Sequence, residues 1–320
     1  MASHGSLRNK RVLVTGGAGF IGRQVVQALL AQGAIPIIFD KEPAPGLPSG
    51  CCYYYGNLID SRNTGKMHPL QDVLHDHFSS TETPYIIHLA ADISVVLSTQ
   101  RPDYVYDTNI AGSSHLFHLA SQCPRPAIIV AASSCAVYGH SQTPVSERSL
   151  IAPISPYGLS KRCMETLAAS YDYDKGPCLR FLRFFNVYGP GQNPVYGAVI
   201  NAFLLGARQG GTLVIHGDGE QVRDFIAVQD IVRAILLTLM APDIKNGACI
   251  NIGTGEGVSI LQLATYIQSL SKKRVRITHE EPRPGDIKVS VANNNLAQVL
   301  LDFQPTKAWK DGIRELLWQK

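Results

Sequence analysis

The chain has 320 residues, 45% of them hydrophobic and 17% charged, and a formal net charge of +4. Such a length buries a large core in one α/β unit or two lobes, and the composition excludes a disordered chain. The basic run Lys272-Lys273-Arg274-Val275-Arg276 is too short for a polyanion track, no apolar run nears the roughly 18 residues of a membrane span, and seven cysteines without a CxxC indicate neither a disulfide framework nor a metal site.

Met1 to Ser6 read as a loose terminus. Val12-Leu13-Val14 then reads as a buried strand, and Ile21 to Gln32 as a helix, with Val25, Val26, Leu29 and Leu30 at helical spacing and a stop at Gly33. Ile35 to Phe39 is a second strand that delivers Asp40, and 41–50 is a Pro/Gly-rich loop. Tyr85 to Leu89, Ala127 to Val130 and Leu179 to Phe185 read as further buried strands, with helices over Asn109 to Gln122 and Ser155 to Tyr173. This alternation predicts βαβ units, hence an α/β fold of the Rossmann type with a doubly wound parallel sheet. Past residue 186, Gly, Pro and Asn gather in 189–197 and 210–219 and the periodic segments shorten. The expected division is a dinucleotide-binding domain over 7–185 and a smaller C-terminal substrate-binding lobe over 186–225 and 255–320. Residues 226–254, with Asp230 to Met240 and Ile250-Asn251-Ile252, are expected to return to the first domain.

Between the first strand and helix stands Thr15-Gly16-Gly17-Ala18-Gly19-Phe20-Ile21-Gly22. Gly16, Gly19 and Gly22 lack the Cβ atoms that would keep the backbone from turning tightly against a pyrophosphate, which the positive end of the helix attracts. Phe20 and Ile21 fall in the same loop and join them as cofactor residues. Asp40, eighteen residues past Gly22, is placed to accept from ribose hydroxyls and to repel a 2′-phosphate, so NAD is favoured over NADP.

Tyr157 and Lys161, four apart, share a helix face. A phenol titrates near 10, and a lysine cation beside it, together with a positively charged nicotinamide, is expected to lower that value toward the working range of a general base. Lys161 is also placed to bond the nicotinamide ribose, and Ser134, at a strand end, to share a hydrogen bond with the reacting oxygen. Together these residues interconvert a hydroxyl and a ketone.

These runs, with HLAA (88–91), Asn109, SSCAVYG (133–139), SPYGLSK (155–161), RFFNVYGPGQ (183–192), GDGEQVRDF (217–225), NIGTG (251–255) and RPGD (283–286), resemble the extended short-chain dehydrogenase/reductase family, in its nucleotide-sugar epimerase/dehydratase branch, from Val12 to about Trp309. The resemblance implies that Leu89, Ala90, Ala91 and Asn109 line the NAD site and that Asn57 and Leu58 meet the adenine. It implies that Ser94, Ser134, Asn186, Val199, Ile215, Arg223, Arg283 and Ser290 surround a nucleotide-sugar, the arginines holding its diphosphate. It further implies a homodimer built on the helices of 109–122 and 155–173. There Leu116, Leu119, Met164 and Leu167 either form the interface or face the sheet.

Dehydratases of the branch carry acidic residues where this chain has Cys135-Ala136, so simple oxidation and return, that is 4-epimerisation of a UDP-sugar, is expected. Asn186 and Asn193 replace the threonine and basic residue of uronate 4-epimerases, and Ser290 stands where UDP-galactose 4-epimerases place a tyrosine. Room for an N-acetyl group favours UDP-GlcNAc/UDP-GalNAc, with UDP-Glc/UDP-Gal as further substrates. Alternatives are a UDP-glucuronate 4-epimerase, another nucleotide-sugar epimerase or reductase, and a silent NAD-binding protein. The expected setting is cytoplasmic, with neither nucleic acid nor membrane as partner.

Overall fold

A computed structural model describes residues 6–59, 68–78, 81–171, 175–192, 199–283 and 285–318. Its centre is a parallel sheet of seven strands. Six of them are β1 (Arg11–Thr15), β2 (Ile35–Asp40), β3 (Cys52–Tyr55), β4 (Tyr85–His88), β5 (Ile128–Ser134) and β6 (Cys178–Phe184). The strand Ala248–Ile252 is the seventh, and the spatial order is Ala248–Ile252, β6, β5, β4, β1, β2, β3. After β3 the chain crosses back to lay β4 on the other side of β1, so a topological switch point opens between β1 and β4 at the carboxyl end of the sheet.

The sheet is buried on both faces because apolar residues occupy both phases of each strand. Leu13, Ile37, Ile86 and Ile129 face a core shared with α2 (Pro69–His77), α5 (Gly112–Ser121) and α6 (Pro156–Thr166). Val12, Val14, Ile38, Ile87 and Val130 face the opposite core, where α1 (Phe20–Ala31) packs with the helix Val228–Met240. Leu116, Leu119 and Met164 are buried against the sheet and Leu167 packs on the same core, whereas Leu159 on the outward side of α6 is 43% exposed.

The structure refines the expected elements. The helix predicted from Asn109 begins earlier. Two short helices, α3 (Val95–Gln100) and α4 (Pro102–Tyr106), and a π-turn over Asp107–Ala111 precede α5. The segment 155–173 closes as a helix at Thr166 and continues as a 3₁₀ turn, Leu167–Ser170. Beyond 186 the elements are longer than their patterns suggested. Helices Val199–Gln209, Ile260–Leu270 and Trp309–Trp318 enclose a third core with Leu213, Ile215, Phe225 and Trp309.

One polar network crosses the sheet. Glu165 on α6 accepts from Arg183 Nε and Nη2, each at 2.8 Å, and from the Ser133 hydroxyl at 2.7 Å. Arg183 Nη1 donates to Tyr138 OH at 2.9 Å, which donates to Asn251 Oδ1 at 2.6 Å. Glu165 and Arg183 are both buried. Removing one partner strands the other's charge, so Glu165→Gln is expected to lose about 3–5 kcal/mol of unfolding free energy in a urea titration.

Candidate active site

The turn after β1 is built around absent side chains. Gly16 has φ +72°, and a Cβ there would lie 2.6 Å from Ala90 N. At Gly22 a Cβ would meet Gly16 O at 2.1 Å. Gly19 caps α1 without a side-chain bond, so the first amides of that helix, those of Phe20, Ile21 and Gly22, face the loop without a capping side-chain oxygen. Asp40 is buried at the tip of β2, where its Oδ2 accepts from Ala18 N at 2.8 Å and its Oδ1 from Glu42 N at 3.0 Å. It therefore also braces the glycine turn, a duty that the sequence pattern does not announce.

Across the switch point, Leu89 N donates to Thr15 O at 3.0 Å, which lays Leu89-Ala90-Ala91 beside that turn. A directed chain of hydrogen bonds supports this edge. Ser113 Oγ donates to Asn109 O at 2.6 Å, so its oxygen accepts from His88 Nε2 at 2.9 Å, and His88 Nδ1 accepts from the Thr15 hydroxyl at 2.7 Å. Burial, with a smaller push from Lys161, takes His88 down to about 3, which matches the neutral ring this chain requires. The Asn109 side chain accepts from Asp92 N at 2.8 Å and donates to Asp92 O at 2.9 Å and Ser160 Oγ at 3.0 Å. The π-turn around it thus joins the β4 loop to α6. At the sheet's other edge, the Asn57 carbonyl accepts from His68 Nε2 and the buried Leu58's carbonyl from His115 Nδ1, each at 2.9 Å.

Ser134 ends β5, and its Oγ accepts from Ala136 N at 3.1 Å. Ser155 caps α6 by accepting from Gly158 N at 3.1 Å. Gly158 allows the helix to close on the Ser134 turn, because a Cβ there would lie 2.4 Å from Ala136 O. Tyr157 is thereby brought into hydrogen bonding with Ser134. Lys161, 3% exposed, donates from Nζ to Ala132 O at 2.9 Å. Ser134, Tyr157 and Lys161 thus converge at the carboxyl end of β5.

The protein's own groups shift both titrations. Burial pushes Tyr157 up to about 12 against the pull of the Ser134 bond, and Cys135 and Asp92 add to the rise. Burial lowers Lys161 to about 8, with Glu165 and Asp92 opposing. The lysine turns toward a backbone carbonyl while a thiol and a carboxylate face the phenol, so the protein's own groups favour the protonated tyrosine.

Residues from beyond position 186 reach this turn. Ser290 lies opposite Arg223 in a short strand pair, and its Oγ donates to Cys135 Sγ at 3.6 Å. Burial raises the Cys135 thiol. Asp224 is buried and accepts from Thr254 N at 2.8 Å, Thr254 Oγ1 at 2.6 Å, Gly255 N at 2.9 Å and Ala292 N at 3.1 Å. Asn186 commits its amide to Asp224 O at 3.0 Å. Arg223 donates to the carbonyls of Val222 and Ile287 and pairs with Asp286. Arg283 is exposed on the adjoining loop, and Ser94 caps α3 by accepting from Leu97 N at 3.0 Å. Val199 opens the helix Val199–Gln209 and is half-buried. Ile215 is the exception. Its side chain is 0% exposed within the third core, because its phase in the strand Thr212–His216 points inward. Asn193 lies outside the described residues, as does Pro284 of the RPGD run.

A Cβ-free turn at the switch point of a doubly wound sheet, beside a converged Ser–Tyr–Lys set, defines a dinucleotide-dependent enzyme. Residues 12–253 match the NAD dependent epimerase/dehydratase family, and the chain belongs to it. It is 31% identical over 319 residues to the UDP-glucose 4-epimerase of Rhizobium meliloti, covering 93% of this chain and 93% of that protein. Among solved structures, MoeE5 in complex with UDP-glucose and NAD is similar with a TM-score of 0.84 and 32% identity, over 96% of this chain and 97% of that one. The UDP-N-acetylglucosamine 4-epimerase from Methanobrevibacter ruminantium, in complex with UDP-N-acetylmuramic acid, is similar with a TM-score of 0.84 and 31% identity over 97% of both chains.

NAD is the cofactor, and the uncapped start of α1 fits its pyrophosphate. Gly16→Ala forces a left-handed Cβ into the Ala90 backbone and is expected to weaken NAD binding by at least about tenfold, measured by calorimetric titration.

Proposed function

We propose that the protein catalyses 4-epimerisation of a UDP-sugar, with UDP-GlcNAc and UDP-GalNAc as preferred partners and UDP-Glc and UDP-Gal as further substrates. The observation that carries this reading is the convergence of Ser134, Tyr157 and Lys161 on a turn that continues into Cys135, which Ser290 contacts. That turn provides one proton-moving group, no neighbouring acid of the dehydratase kind, and small side chains toward the sugar. The relatives named above support the UDP-sugar class.

In the proposed cycle Tyr157 takes the proton of the sugar 4-hydroxyl and later returns it to the same oxygen, while Ser134 donates a hydrogen bond to that oxygen. When bound, NAD supplies the acceptor and donor of hydride at carbon 4. Lys161 sets the charge around the phenol and holds the nicotinamide ribose. Gly16, Gly19, Phe20, Ile21 and Gly22 cradle the pyrophosphate, Asp40 the adenosine ribose, and Asn57 and Leu58 the adenine, with Leu89, Ala90, Ala91 and Asn109 on the opposite wall. Arg223, exchanging Asp286 for phosphate, and Arg283 grip the diphosphate. Ser94, Asn186 and Val199 close around the remainder, so that the 4-keto sugar turns over without escaping. In this reading 7–185 with 226–254 carries NAD, and 186–225 with 255–320 carries the nucleotide-sugar.

A second copy of the chain is proposed to pack on α5 and α6. The exposed Leu159 supports this, whereas Leu116, Leu119 and Met164 are spent on the sheet. A reducing, cytoplasmic setting is proposed on seven unpaired cysteines.

Incubation without added cofactor, followed by proton NMR of the anomeric region, tests the assignment. UDP-GlcNAc is expected to yield the galacto-configured product, and Tyr157→Phe to slow this by about 10²–10⁴-fold. Ser290→Tyr should lose the N-acetyl substrate and keep UDP-Glc. No conversion of either substrate, with NAD⁺ supplied, sinks the proposal.

Because Asp92 helps raise Tyr157 and opposes the lowering of Lys161, Asp92→Asn lets both titrations fall. The kcat–pH profile of that variant is expected to move acidward by up to about one unit.

A further inference from the structure

Lys41 and Tyr104 belong to no group assigned so far. Lys41 follows Asp40 at the tip of β2, and Tyr104 stands on α4, just before the π-turn whose Asn109 holds Asp92 at the tip of β4. β2 and β4 flank β1 on opposite sides. Their tips are therefore about 10 Å apart, two strand spacings, with the glycine turn between them. Lys41 Nζ crosses toward that far side, donating to Tyr104 OH at 2.8 Å and lying 5.4 Å from the ring centroid. Both residues are half-buried.

We propose that Lys41 and Tyr104 form a strap across the dinucleotide groove, closing over NAD between the tips of β2 and β4 and slowing its release. The inference rests on the cofactor position proposed above, and it adds a retention device to that site. Burial would lower the Lys41 ammonium's pKa, yet the bond to Tyr104 and the charges of Glu42 and Asp92 leave it raised, so the strap stays cationic. A cation there strengthens its one hold on Tyr104, the hydrogen bond to the phenol oxygen. The reaction gives hydride back to the substrate it came from, so no turnover requires the cofactor to leave. A strap that holds NAD therefore costs no turnover.

The test uses the full chain purified with its bound cofactor. The parent, Lys41→Ala, Tyr104→Phe and the double variant are diluted into NAD-free buffer, and released NAD is followed by a coupled enzymatic cycling assay. Each single change is expected to speed release about tenfold, and the double variant no more than the faster single, because the two act as one contact. Tyr104→Phe keeps the ring and its packing, so it reports even if Lys41→Ala loosens the fold. Parental release rates in Tyr104→Phe, or rate gains that multiply in the double variant, overturn the strap while leaving the cofactor site intact. A parent that carries no NAD overturns retention and strap together.

Discussion

Glu165 and Arg183 meet in a two-pronged ion pair closed off from water, and α6, β5, β6 and the strand Ala248–Ile252 all take their relative positions from the bonds around it. A pair in such a place gains little net stability, since desolvation offsets most of the attraction. What it confers is register. Glu165 lies one helical turn beyond Lys161, so any slide of α6 along the sheet would break two charged hydrogen bonds and the Ser133 contact together. Ser133 is the residue before Ser134. The carboxylate therefore reaches both the strand end and the helix that carry the proton-moving groups, and Gly158 sets how closely they approach.

The same helix explains the opposite shifts of its two titrating groups. Tyr157 and Lys161 share a poorly hydrated pocket that disfavours charge on either, so the phenol rises to about 12 and the ammonium falls to about 8. On its own the protein keeps the tyrosine in the form that gives a proton back. Asp92 strengthens that bias at the phenol and opposes the fall of the ammonium. Its own loop is fixed by the Asn109 amide, so the local electrostatics rest on a side chain usually read as a cofactor contact.

Much of this was legible in the chain. Strand phases such as Leu13/Val14 and Ile37/Ile38, the glycine turn and the Ser134, Tyr157 and Lys161 set are local patterns, and local patterns survive folding. The second lobe was harder to read. Helices Val199–Gln209 and Ile260–Leu270 sit among glycines that mark turns rather than the absence of structure. Ile215 shows the limit of transferring roles along a sequence, since a strand alternates its faces and one residue decides between pocket and core. Lys41–Tyr104 and Cys135–Ser290 are separated by 63 and 155 positions, and no spacing rule foretells such encounters. The protein's own push on Tyr157 was not legible for a related reason. Helical spacing puts Lys161 beside the phenol but says nothing about Ala132 O claiming its ammonium.

Asp224 carries a consequence for how such a protein changes over time. Its carboxylate collects four donors from Thr254, Gly255 and Ala292, and its backbone amide donates to Ser290 O at 2.9 Å, so the main chain from Ser290 to Ala292 is pinned from below. The side chain at 290 is left as the variable part of a fixed frame. A single-codon exchange there alters the side chain without asking the fold to rearrange, which makes this position a point of evolvability within an otherwise constrained wall.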